Sequence, residues 1–407
     1  SPPPPAPASD EDGWSDQRLL RAQVMAIDAL VPAASRLIED PTRDVRSALA
    51  WSLARLLFIM NVPRDPTSSL PAAKAVSTAV HEAHEELQEK LGTNIFPLLL
   101  ILLHDPEADV AMWCLRSMVS EDKEAADHEH LSPDGSSHKR LRHVLHPDHV
   151  SKLLPTISHL ATHKTHWRLR EWTVAVLPIL HISSHGDPAA QKEITDRSIK
   201  ALSDSVDGVR QRATDSFCRI VLQSEDNVLA SGGAAGGCLR STALAICTLL
   251  LQSPIAKQRL TGLNLIERLN AASVPQKLPH FPSAPPRPEM PPIVVSPAAR
   301  TAAAAFLSEK LLPLLCQLST DPLANVRIRA ARVLGLVAAG LGNQEPEVAE
   351  KVRLRIEWML NDRDSDVQYV ARRAHELFNQ HATGPRPAPT TNTAAPAPAK
   401  APVAGPE

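Results

Sequence analysis

The residues best able to do chemistry in this chain are its 17 histidines and five cysteines. "HEAHEEL" (81–87) comes near the helix of a zinc protease. That helix needs two histidines at i and i+4, with a glutamate between them as general base. His81 and His84 stand at i and i+3, so the stretch reads as a solvated amphipathic helix. "DHEHLSPDGSSHKRLRHVLHPDH" (127–149) holds six histidines. They have neither regular spacing nor cysteine partners, so no structured zinc site is expected. With its "SPDGS" and "KRLR" stretches it reads as a polar insertion. Cys114, Cys218, Cys238, Cys247 and Cys316 are scattered, odd in number and without a CxxC pair. They read as reduced, buried thiols of a cytoplasmic or nuclear protein. "ASGGAAGG" (230–237) lacks the Lys-Ser/Thr that completes a phosphate loop, so it reads as a linker. No nucleophile–base pair or ligand set stands out. The expectation is a non-enzyme with no cofactor and no metal.

Composition narrows the partners. The chain carries 43 basic and 45 acidic residues, net −2, so no whole-chain attraction to nucleic acid or membrane is implied. Aromatics make up 3% with a single tyrosine, which disfavours a base-stacking surface. The longest apolar run, "IFPLLLILL" (95–103), is about half of the roughly 18 residues a membrane span requires. "SPPPPAPASDEDG" has neither the basic nor the apolar region of a signal peptide.

The remaining chemistry is recognition. "THWRLREWTVAVLPIL" (165–180) places two tryptophans within six residues, interleaved with arginines. What they do depends on the elements around them, and those repeat. An apolar stretch is followed by Asp, a few polar residues, Val-Arg and a second apolar stretch rich in Ala. Clear copies start at Asp40, Asp105, Asp204, Asp321 and Asp362, and weaker ones at His163 and Ser253. The valine position falls at Val45, Val110, Leu169, Val209, Gln258, Val326 and Val367, with spacings of 65, 59, 40, 49, 68 and 41. Two spacings match the roughly 40-residue period of HEAT repeats. The other four are lengthened by insertions at about 61–85, 120–147, 230–237 and 273–297.

Each unit is a helix pair. Helix A (28–39 in the first copy) ends at the Asp-Pro turn, because proline cannot continue a helix and aspartate caps the next. Helix B (44–58) folds back. Neither buries its apolar stripe alone, so stacked units share one core. Small residues such as Ala48, Ala213 and Ala330 let B helices approach. The expected architecture is an all-α HEAT-repeat α-solenoid of about seven pairs over residues 13–382. Residues 1–12 and 383–407 are Pro/Ala-rich and expected to be disordered.

The arginines after the valine position (Arg46, Arg170, Arg210, Arg259, Arg327) are expected to meet aspartates of adjacent turns (Asp40, Asp204, Asp321, Asp362) as a ladder fixing stacking register. Arg168 stands outside that ladder. Trp172, beside Val174, Val176, Leu177 and Leu180, reads as structural. Trp167 and Arg168 at the turn are the residue types enriched at binding hot spots. "PHFPSAPPRPEMPP" (279–292) has the PxxP spacing that suits the grooves of SH3-type domains.

The ordered succession of "LVPAASRLIEDPTRDVRSALA", "LLPTISHLATHKTHWRLREWTVAVLPIL", "DPLANVRIRAARVLGLV" and "DRDSDVQYVARRAHELF" resembles the C-terminal half of the scaffold subunit of protein phosphatase 2A. It also resembles the related regulatory subunit of protein phosphatase 4. The resemblance runs over about 24–380. It implies a chain without activity of its own that holds a phosphatase catalytic subunit on its A–B turns. The family's contact positions match Trp167 and Arg168, then Asp207, Lys257 with Arg259, and Asn325. Asp207, followed by Gly208, stands where the family has an aromatic. A HEAT transport receptor of the importin-β type and a tubulin-binding HEAT adaptor are the rival readings. The first favours acidic faces and the second needs basic or aromatic residues in several successive turns.

Overall fold

The structure, a computed structural model, describes residues 11–60, 74–119, 145–184, 186–231, 236–273, 307–341 and 346–382. The two ends beyond them, most of the insertions at 120–147 and 273–297, and the PxxP stretch 279–292 lie outside the described residues. The chain divides into two compact units, 1–314 and 315–407.

The first unit holds five antiparallel helix pairs: α1 (Glu11–Leu37) with α2 (Arg43–Met60), then α3 (Lys74–Lys90) continuing through α4 (Phe96–Leu103) with α5 (Ala108–Val119). There follow α6 (Pro147–Leu160) with α7 (Trp167–Ser183), α8 (Pro188–Ala201) with α9 (Asp207–Ser231), and α10 (Gly236–Leu251) with α11 (Ala256–Ser273). The unit boundary falls within α12 (Leu312–Leu318), which precedes α13 (Ala324–Leu341). The last pair is α14 (Pro346–Met359) with α15 (Ser365–Ala382). B helices pack on successive B helices: α2 on α5, α5 on α7, α7 on α9, α9 on α11, and in the second unit α13 on α15. The described residues are all-α, and in each unit they form HEAT-type helix pairs.

The core is aliphatic. Leu53, Leu57, Leu99, Leu115, Leu153, Ile157 and Val176 in the first unit are fully buried, as are Leu334, Val352 and Val367 in the second. Ser117 Oγ donates to the carbonyl of Trp51 and Ser216 Oγ to that of Val174, each at 2.8 Å. These bonds tie neighbouring B helices where side chains are short enough for close approach. Ala213 and Ala330 are fully buried as expected of spacers, whereas Ala48 is exposed. Cys114, Cys218, Cys247 and Cys316 are free thiols, and burial pushes Cys247 up to about 12.

Three boundaries differ from the expectation. The first A helix begins at Glu11, inside the stretch assigned to a disordered end, and runs to Leu37. Residues 74–85, placed in the first insertion, belong to α3. Their Ala, Glu and His content conceals a helix whose apolar stripe is thin. Of "ASGGAAGG", Ala230 and Ser231 close α9 and Gly236 opens α10.

Between α3 and α4 the helix widens into one π turn, Leu91–Ile95. A side chain on Gly92 would lie 3.0 Å from His149 Nε2, so the missing Cβ seats this imidazole. His149 is buried and stacks on Phe96 at 4.7 Å between centroids, and its Nδ1 has no partner. Burial first, then His146 and Lys152, pull its pKa down to about 4. The unfolded chain therefore binds a proton below about pH 6.5 that the folded chain refuses, and stability falls between there and about pH 4. His181, also buried, is lowered to about 4 in the same way. His149→Phe is expected to flatten the acid limb of a stability-against-pH curve by about half. An unchanged slope would show that the ring is solvated.

Candidate functional site

The A–B turns share one construction. A side-chain oxygen accepts the backbone N–H two residues on: Asp40 from Thr42 at 2.7 Å, Asp105 from Glu107 at 2.8 Å, and Asp204 from Val206 at 2.8 Å. Asp321 takes Leu323 N–H, Asp362 takes Asp364 N–H, both at 2.9 Å, and Ser253 Oγ takes Ile255 N–H at 3.1 Å. The arginine after the valine position reaches back to the start of its own turn. Arg46 Nη1 donates to the Asp40 carbonyl, Arg170 Nη1 to that of His163, Arg210 Nη1 to that of Asp204, and Arg327 Nη1 to that of Asp321, at 2.7–2.8 Å.

The rest of the guanidinium reaches forward. Arg46 grips Asp105 with two bonds (2.6 and 3.1 Å), Arg170 grips Asp204 (2.9 and 3.0 Å), and Arg327 grips Asp362 (2.8 and 2.9 Å). Burial pushes the Asp204 carboxyl up, but the Arg170 bond and the Val206 N–H more than offset it, leaving the pKa below its ordinary value.

Arg210 departs from the pattern. The next turn presents Ser253 where the others present Asp, so its Nη2 turns to Asp207 of its own turn at 2.9 Å and its buried Nε has no partner. Ser253→Asp is expected to raise stability by about 1 kcal/mol, because the new carboxylate keeps the Ile255 N–H bond and gives Arg210 its acceptor. A lower or unchanged melting temperature would count against the register described.

Within this frame the third turn is distinct. α7 begins at Trp167 itself. Trp167 is 39% exposed, and the Arg168 guanidinium lies 5.3 Å from its ring centroid. The ring rests on the next turn: a Cβ at Gly208 would lie 3.4 Å from Trp167 Cζ3. A Cβ there would make only ordinary contact, so the indole spans two turns by packing over Gly208 without requiring a glycine. Beside it the rings of His163 and His166 meet edge to face at 4.9 Å, and His163 Nδ1 accepts the His166 N–H at 3.3 Å. Burial first, then His166, His159 and Arg170, hold His163 below its ordinary value.

The other expected contact residues divide. Lys257 is exposed at the start of α11. Arg259 is not an exposed contact: it is 9% exposed, and its Nη1 donates to the carbonyls of Ser253 and Pro254. Its place one residue after the valine position makes it a turn clamp like the other arginines. Asp207 is exposed, but Arg210 and Gln211 occupy its carboxylate. Asn325 is exposed at the start of α13, and its turn belongs to the second unit.

Trp172, placed by its sequence among apolar neighbours, is half-buried and touches two arginines. Arg116 of α5 lies 5.7 Å and Arg212 of α9 5.3 Å from its centroid. Arg116 also lies 4.8 Å from the Trp113 ring, which meets Trp51 at 5.8 Å. A stack of three tryptophans and two arginines thus crosses four B helices. Its signal was present: Trp113, Trp172 and Arg212 all stand three residues after the valine position, and Trp51 and Arg116 stand six after it. In the second unit Trp358, 50% exposed, carries Arg355 at 4.7 Å.

No family model matches the chain, and no curated protein matches it. Among solved structures it is similar to Kap121p, at 14% identity and TM-score 0.39, over 89% of this chain and 34% of that one. It is similar to Kap95p, described as switching the loops of RanGDP, at 15% identity and TM-score 0.41, over 91% of this chain and 46% of that one. An engineered protein aligns at 15% identity and TM-score 0.33, over 71% of this chain and 98% of that one. The chain thus spans about a third to a half of the two natural neighbours' length. Among the described residues no helix is long and apolar enough to cross a membrane.

Proposed function

We propose that the chain is a non-catalytic scaffold or regulatory subunit of a protein serine/threonine phosphatase of the 2A/4/6 group, and that it holds the catalytic subunit at the Trp167 turn. The observation that carries this reading is the exposed Trp167–Arg168 pair seated on Gly208. Exposed tryptophan and arginine side chains at a turn are the groups that gain most from a partner. They fall where the resemblance to the phosphatase scaffold puts its contact. The mechanism is positional: a stacked array presents turn residues to the catalytic subunit and so sets its location and substrate access. The setting is cytoplasm or nucleus. Lys257 is the second contact on the same unit, and Asn325 belongs to the second.

The test is binding of purified 2A-type and 4-type catalytic subunits to the immobilised chain, beside a Trp167→Ala, Arg168→Glu double variant. The expected result is that one of the two is retained and the variant weakens it about 100-fold with its helical circular dichroism intact. If neither catalytic subunit is retained by the intact chain, the phosphatase reading fails.

A further inference from the structure

We propose that the Trp167 turn accepts an acidic segment of its partner, with an apolar side chain on the indole and carboxylates against Lys164 and Arg168, and that protonation of His163 tightens the grip. The inference rests on that turn being the partner-binding surface, and it names what the partner must present there.

The charge pattern of three consecutive turns carries it. In the second turn Asp105 is held by Arg46 and Asp109 by Arg43 at 3.0 Å. In the fourth, Asp204 is held by Arg170 and Asp207 by Arg210. The four aspartates of the flanking turns are therefore already matched by arginines, and Glu107 of the second turn is an exposed carboxylate outside these pairs. The third turn, "HKTHWR", has no acidic residue of its own, and Arg170 is committed to Asp204. Among the described residues no carboxylate pairs with Lys164 or Arg168, and both are exposed. Two cations without a carboxylate partner and two imidazoles thus share this turn with an exposed indole, with Arg168 against the ring. A partner carboxylate would supply the missing counter-charge. A basic partner segment would add repulsion at the same place, which selects against it.

His163 adds pH dependence. It is faced by His159 of α6, by His166, and by Arg170 of α7. The ring of His104, at the end of α4, lies 6.3 Å from that of His159. Of the carboxylates on the adjoining elements, Glu171 on α7 is paired with Arg212, Asp204 on the fourth turn with Arg170 and Asp207 with Arg210. An acidic ligand stabilises the protonated His163 ring, so binding takes up a proton and strengthens as pH falls.

The experiment is fluorescence anisotropy on the full chain, with short labelled peptides of alternating Glu and Leu, of alternating Lys and Leu, and a DNA strand of equal charge. The Glu-Leu peptide is expected to bind, about tenfold more weakly to Arg168→Glu and to Trp167→Ala. Its affinity should rise about threefold from about pH 7.5 to about pH 6, and not in a His163→Gln variant. Equal binding of the Lys-Leu peptide or of the DNA, or indifference to Arg168→Glu, would overturn the proposal. The two readings fail separately. An acidic peptide held when no phosphatase catalytic subunit binds sinks the phosphatase reading alone. A catalytic subunit bound at this turn that the acidic peptide does not displace sinks this one alone.

Discussion

Replacing Arg327 with alanine is expected to destabilise the second unit by about 3 kcal/mol, more than the loss of any exposed ion pair in the chain. Both side chains of the Arg327–Asp362 pair are 5% exposed, and the pair is bidentate. Alanine leaves the Asp362 carboxylate buried without its counter-charge and frees the Asp321 and Pro322 carbonyls that Arg327 Nη1 serves. It is this orphaning, rather than the worth of the pair itself, that makes the effect large. Asp362→Asn is expected to cost less, because the amide oxygen still accepts from Arg327. Hydrogen bonds from Arg327 hold the Asp362 carboxyl below its ordinary 3.8. Its contribution is therefore complete above that value and lost as pH falls through the lowered one. Denaturant unfolding of wild type and variants, at neutral pH and at about pH 3.5, checks both statements. A cost below about 1 kcal/mol for Arg327→Ala would mean the pair is hydrated in solution.

Gly335→Val is expected to cost about 2–3 kcal/mol in the same unit, and even Gly335→Ala should destabilise. In an exposed helix interior, Gly→Ala normally stabilises by up to about 1 kcal/mol. Here the sign reverses, because a Cβ on Gly335 would stand 2.6 Å from Ala374 Cβ and 2.9 Å from Ala374 Cα. Those atoms belong to α13 and α15, which pack together more extensively than any other pair of helices described, and backbone cannot move aside as a side-chain tip can. Ala374→Gly in the Gly335→Ala background should restore part of the loss. Thermal melts of the three variants decide it. A stabilising Gly335→Ala would show that α13 and α15 sit further apart.

The repeat was legible because its turns are local. An Asp whose carboxylate accepts the N–H two residues on, followed by Val-Arg, specifies where a B helix starts without reference to the rest of the chain. The valine positions Val45, Val110, Leu169, Val209, Gln258, Val326 and Val367 all fall in the first turn or two of a B helix. What escaped depends on the register between units. Arg259 looked like a contact by alignment of turns, yet stacking buries it against its own carbonyls. Arg210 looked like a ladder member, yet the following unit presents Ser253. The stack from Trp51 to Arg212 forms only because four B helices align, and no single repeat contains more than two of its members. Residues 74–85 were hidden for a different reason: "KAVSTAVHEAHE" holds so few large apolar residues that its helical stripe is faint.

Whether the third turn is the grip is tested most directly by hydrogen exchange on the chain, alone and with purified 2A-type or 4-type catalytic subunit. The first amides of a helix lack intrahelical acceptors and exchange quickly, so the start of α7 is an unprotected stretch on which a partner would register clearly. New protection is expected over 163–170 and the adjoining turn 204–208, with the Trp–Arg stack on α5 and α7 unchanged. Protection along the B helices with the Trp167 turn still exchanging freely would contradict it.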